Sequence, residues 1–189
     1  MTYTTNHELL QKMRSGDGAS WELFREFYRP LIARRGMDFG LSPTEVDTLI
    51  QDVMVVFFQN RVLDKYEQGK GRFRSYLRTI TTRCALRLRK AREDSREIQE
   101  GELDIPDATD EALFKAEWEE FILEKAYQEL RETMDSAKYM AFQMHSIQGR
   151  SAAEVAEIFG MNRNQVYLLC SRTLKSLKEI VARLQEELG

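Results

Sequence analysis

The stretch Ala152-Ala153-Glu154-Val155-Ala156-Glu157-Ile158-Phe159-Gly160-Met161-Asn162-Arg163-Asn164-Gln165-Val166-Tyr167-Leu168-Leu169 constrains this chain more than any other. It reads as a helix-turn-helix. Val155, Ala156, Ile158 and Phe159 are expected on the inner side of a first helix, with Ala156 small where a second helix must cross. Gly160 supplies the positive φ of a tight turn, and Asn162 is a good N-cap for the second helix. Val166, Leu169 and Cys170 recur at helical spacing and should seat that helix. Arg163, Asn164, Gln165, Tyr167, Leu168, Ser171, Arg172 and Lys175 then point away from the core. Amides and guanidiniums at the start of an outward helix are the groups that read base edges in a major groove. A helical hairpin that binds no DNA is the plainer alternative.

A second feature is the segregation of charge beneath a net value of only −3. From Arg72 to Arg92 there are eight cations, Arg72, Arg74, Arg78, Arg83, Arg87, Arg89, Lys90 and Arg92, and no carboxylate. Phe73, Tyr76, Leu77, Ile80, Cys84 and Leu88 interleave with them at helical spacing, so the block is an amphipathic helix with a cationic outer face. Soluble helix surfaces usually mix both signs, and a single-signed one suits a phosphate backbone. From Glu93 to Glu120 the balance reverses, with twelve acidic side chains against Arg96 and Lys115. Gly101 and Pro106 interrupt that stretch, which reads as a solvated connector.

Between Val46 and Phe58, apolar groups at 46, 49, 50, 53, 54, 57 and 58 form a stripe expected to be buried. Asp47, Gln51 and Asp52 line one flank, with Val55 and Val56 opposite. That surface suits protein docking, and a fully buried helix explains the valines equally well. Ser42, Pro43 and Glu45 mark the start of this helix.

The chain is expected to be all-α: two small helical domains joined by an acidic linker, at residues 1–94, 95–112 and 113–189. Helices are predicted near 6–14, 18–34, 44–60, 73–93, 110–132, 136–147, 152–159 and 163–188, with a loop at Gln68-Gly69-Lys70-Gly71. Apolar residues at 42% and charged residues at 31% fit a globular protein. No apolar run approaches a membrane span, and the N-terminus lacks a signal pattern, so a cytoplasmic location is expected. Cys84 and Cys170 should be reduced core thiols. His7 and His145 are the only histidines, which leaves no metal-ligand spacing. A glycine-rich phosphate loop and a nucleophile–histidine pair are also missing, so neither catalysis nor a cofactor is expected.

Taken in order, Leu49-Ile50-Gln51-Asp52-Val53, then Gly71-Arg72-Phe73-Arg74-Ser75-Tyr76-Leu77-Arg78-Thr79-Ile80, the acidic linker and the Gly160 segment resemble the sigma-70 family. The chain is most similar to its small two-domain, extracytoplasmic-function type, over roughly residues 18–92 and 113–182. The resemblance implies that the helix with Asp47, Gln51, Asp52 and Val55 binds the clamp helices of core RNA polymerase. It implies that Arg72, Arg74, Arg78, Arg83, Arg87, Arg89 and Lys90 engage the minus-ten promoter element during melting. It assigns the minus-thirty-five element to Arg163, Asn164, Gln165, Tyr167, Leu168, Ser171, Arg172 and Lys175, and it admits an anti-sigma factor as a further partner. Arg83 and Arg87 stand where the family often has asparagine and aspartate, and Tyr167, Leu168 and Leu169 where it often has Lys-Ser-Arg, so promoter sequence does not carry over. Two alternatives remain from the residues: a helix-turn-helix regulator that ignores polymerase, and a protein-binding decoy without DNA binding.

Overall fold

The computed structural model describes residues 7–59, 73–94 and 107–188. The fold is all-α, with no strand among the described residues. In chain order the helices are α1 (His7–Arg14), α2 (Gly18–Asp38), α3 (Pro43–Gln59), α4 (Phe73–Asp94), α5 (Asp107–Thr133), α6 (Ser136–Phe142), a π-helical turn Gln143–Ile147, α7 (Ala152–Phe159) and α8 (Arg163–Leu188). They form two compact units, one built on described residues through Phe121 together with 187 and 188, the other Ile122–Glu186. The expected Gln68–Gly71 loop, Arg72 and residues 95–106 of the expected linker lie outside the described residues.

In the first unit, α2 starts where the Asp17 carboxylate accepts the Ser20 N–H at 3.0 Å, satisfying one of the donors a helix start leaves open. Its inner face carries Phe24, Phe27, Tyr28, Leu31 and Ile32, all buried. Phe24 meets Tyr28, Phe57 and Phe73 at ring-centroid distances of 4.8, 5.5 and 5.8 Å, so one aromatic cluster joins α2, α3 and α4. Gly36 permits the close crossing of α2 and α3: a Cβ there would lie 2.9 Å from Leu49 Cδ2 and 3.0 Å from Val46 Cγ2. Pro43 opens α3, and Ser42 and Glu45 cap it reciprocally, with Ser42 N–H donating to Glu45 Oε2 at 2.7 Å. That bond is the main cause of a Glu45 carboxyl held below its ordinary range.

The expected stripe on α3 is buried at Val46, Leu49, Ile50, Val53 and Phe57. Met54 is half-buried and Phe58 is 64% exposed, a departure from the expected pattern. One helical step beyond Phe57 turns Phe58 to the rim, where its ring meets Trp21 edge-on at 5.5 Å.

The start of α5 departs further from the sequence reading. Residues 107–112, expected as linker, begin a helix, and Asp110 and Glu117 are buried rather than solvated. Their partner is Arg35 of α2, itself fully buried. It bonds Asp110, reaches Glu117 Oε1 at 3.0 Å and Thr82 Oγ1 at 3.0 Å, and lies over the Phe39 ring at 4.9 Å. A buried guanidinium needs such partners, since desolvation of an unpaired charge costs several kcal/mol. Phe114, Trp118 and Phe121 continue the same buried face, so the two units divide inside α5 rather than at its start.

In the second unit, Asp135 caps α6 through the Lys138 N–H at 3.1 Å. The expected helix 136–147 changes character at Phe142, where the π-helical turn begins. Ser151 and Glu154 form a capping box on α7. The bonds Ser151 gives through its N–H and hydroxyl hold the Glu154 carboxyl below its ordinary range. Gly160 ends α7 at φ 63°, with Met161 N–H donating to Ala156 O at 2.8 Å. Val155, Ala156, Val166 and Cys170 are buried at the positions expected for the meeting of α7 and α8, but Ile158, expected inward, is exposed.

Candidate nucleic-acid and partner interface

The surface of α3 presents Asp47, Gln51 and Val55 exposed and Asp52 half-buried. Asp47 pairs with Arg29 at 3.3 Å and Asp52 with Arg87 at 2.8 Å. Exposed pairs of this kind contribute only about 0.2–1 kcal/mol, so a partner's cations exchange for them at small cost. Beside Val55, the residues Gly16, Gly18, Trp21, Met54, Phe58 and Gln59 line an open apolar cleft of about 400 Å³. Phe58 and Trp21 are members that sequence reasoning misses. Periodicity places Phe58 in the core, and only its one-step offset from Phe57 signals otherwise.

The cations of α4 separate onto different faces. The Arg74 guanidinium lies 5.9 Å from the Trp118 ring centroid, and Arg78 pairs with Asp110 at 3.6 Å, so both turn toward the start of α5. Arg92 donates to Gly40 O at 2.9 Å and pairs with Glu45 at 3.4 Å. Arg89 is half-buried. Arg83, Arg87 and Lys90 are exposed and succeed one another at spacings of four and three, which places them on one side of the helix. The cationic outer face is therefore narrower than eight residues suggest. Arg72 lies outside the described residues.

On α8, Arg163, Asn164, Gln165, Tyr167, Leu168, Ser171, Arg172 and Lys175 are all exposed. One of them already has a local task. Asn162 Oδ1 accepts the Gln165 N–H at 2.9 Å while Gln165 Oε1 accepts the Asn162 N–H at 2.8 Å, a reciprocal cap built from two amides. With one lone pair of its oxygen engaged, Gln165 in this rotamer keeps its two amide N–H donors and one lone pair for a base edge. Leu168, with Leu169, Leu130, Met134 and Met161, borders an open groove of about 550 Å³ that also carries Lys138 and Arg172.

Among the described residues, no group of three or more His, Cys, Asp or Glu side chains is arranged to hold a metal ion. None of the described helices is long and apolar enough to cross a membrane.

No curated relative matches the chain. Residues 24–94, from the middle of α2 to the end of α4, match the family model of sigma-70 region 2. The matched segment contains both the carboxylate-bearing surface of α3 and the cationic face of α4, and a region 2 domain implies binding to core RNA polymerase and promoter DNA. The match supports an RNA polymerase sigma factor of the sigma-70 family, which is not an enzyme family.

Proposed function

We propose that the chain is a sigma factor of the small two-domain, extracytoplasmic-function type, which directs core polymerase to promoters and assists melting. The domain at 1–94 docks on the clamp helices through Asp47, Gln51, Asp52 and Val55, with the Trp21–Phe58 cleft extending that surface. Arg83, Arg87 and Lys90 face the minus-ten element, with Arg89 beside them, while Arg74 and Arg78 support the helix from behind; Arg72, which the family resemblance assigns to the same element, lies outside the described residues. The α7–α8 pair acts as a helix-turn-helix in the second unit, Ile122–Glu186. Arg163 and Asn164 enter the groove of the minus-thirty-five element first, and Arg172 and Lys175 grip phosphates.

The observation that carries this reading is the family match across 24–94, where α3 exposes Asp47 and α4 exposes Arg83, Arg87 and Lys90 along one side. The test is promoter binding by the full chain with and without purified core polymerase. A sigma factor needs polymerase for tight promoter binding. A stand-alone regulator shifts duplex DNA without it, and a decoy binds polymerase or an anti-sigma factor but no DNA.

A further inference from the structure

The π-helical turn Gln143–Ile147 leads into a loop cinched back on itself. Gln148 N–H donates to Gln143 O at 3.0 Å and Arg150 N–H to Met144 O at 2.9 Å, with Gly149 at φ 71° making the reversal. A side chain supplies the next tie: His145 Nδ1 lies 2.7 Å from Arg150 O. A carbonyl oxygen only accepts, so Nδ1 carries the proton, and this bond fixes both the tautomer and the plane of the ring. The ring so held meets Tyr167 of α8 at 5.5 Å and 71°, edge to face.

Tyr167 is 56% exposed. It stands at the mouth of an open notch of about 630 Å³ that His145, Ser146, Ser171 and Lys175 also line. His145 thus ties the loop before α7 to the one aromatic side chain among the residues of α8 assigned to DNA. An exposed tyrosine on a helix has several rotamers open to it, and an edge-to-face partner of fixed orientation favours one of them.

We propose that His145 is a positioning residue for promoter recognition: it holds the Tyr167 ring in the posture in which α8 reads the minus-thirty-five element. This rests on the promoter-reading role proposed for α8 and adds a specificity determinant outside that helix. An aromatic pair of this kind biases its members about two- to tenfold, which sets the size of the effect.

The experiment is a randomised minus-thirty-five library transcribed by holoenzyme assembled from the full chain and core polymerase. Tyr167→Ala, His145→Ala, His145→Phe and the Tyr167→Ala/His145→Ala double variant are compared with the wild type, and Arg163→Ala serves as an independent reporter. His145→Ala should relax preference two- to tenfold at the same base positions as Tyr167→Ala. The double variant should be no more relaxed than Tyr167→Ala alone, and His145→Phe, which keeps an aromatic edge but loses the carbonyl bond, should fall between. In the free protein, Tyr167 ring-proton resonances should move in His145→Ala. A His145→Ala variant that weakens all promoters evenly, adds to Tyr167→Ala or leaves the Tyr167 resonances in place overturns the positioning role. If Arg163→Ala and Tyr167→Ala both leave preference unchanged, it is promoter reading by α8 that fails, and the positioning role falls with it.

Discussion

Arg87 Nη2 lies 2.8 Å from Asp52 Oδ2, joining α4 to α3 through two residues that the family resemblance assigns to different partners. In the free protein each satisfies the other. Asp52→Arg puts two arginines in contact. It should lower stability by about 0.5–1 kcal/mol and core-polymerase affinity by on the order of 2 kcal/mol. The exchanged pair Asp52→Arg/Arg87→Asp should recover the thermal midpoint and leave polymerase binding weak. Recovery of both in a titration of core enzyme means that the carboxylate serves folding alone.

The Arg35 cluster should behave in the opposite way, with large effects on stability and none specific to promoter sequence. Asp110→Ala strips a buried guanidinium of a carboxylate and should cost about 3–5 kcal/mol in denaturant unfolding. Burial pushes the Glu117 carboxyl up to about 7 from an ordinary 4.5, against the bond and charge of Arg35. The folded protein then holds this proton more tightly than the unfolded chain. Its share of stability is full below about pH 4.5 and is lost as pH rises toward 7. Glu117→Gln should flatten stability across that window, and an unchanged pH profile contradicts the assignment.

Salt dependence separates the two faces of α4. Arg83→Ala and Lys90→Ala should each lower the salt slope of holoenzyme binding to promoter DNA by about one. Arg74→Ala and Arg78→Ala should lower the thermal midpoint and leave that slope nearly unaltered. The reverse pattern would show that the face toward α5 opens to DNA.

Gln165 and Arg163 should divide the start of α8 between capping and reading. Gln165→Ala removes one arm of the reciprocal cap and should cost about 0.5–1 kcal/mol of stability. Gln165→Glu keeps an oxygen for the Asn162 N–H and should retain it. Arg163→Ala should instead cost about 1–3 kcal/mol at one or two base positions in a promoter-library readout. Equal loss on every sequence would make Arg163 a phosphate contact.

Local signals carried most of the helix pattern. Gly160 and Asn162 delimit α7 and α8 at the residues expected, and Ser42, Pro43 and Glu45 start α3, because caps and turns act within a few residues. What escaped the sequence was long-range. Nothing near Arg35 distinguishes it from Arg34, yet Arg35 meets acids 75 and 82 positions away. An acidic run looks solvated until a buried cation claims two of its members. The same holds for the basic block: spacing shows which cations share a face, but not that Trp118 and Asp110 face two of them. His145 lacked any sequence signal, since the π-helical turn that presents it breaks the periodicity on which helix reading depends.

Cys84 and Cys170 are both free and buried, and they fall one in each unit. Burial also pushes the Cys84 thiol up, which lowers its thiolate fraction and slows its reaction further. The chain therefore carries two built-in clocks. Under a slow thiol reagent, modification at each position is held back by the helices packed around it, so two rates from one sample report on the breathing of each half separately. Polymerase or DNA that clamps one half would slow one clock and leave the other running, with no residue replaced.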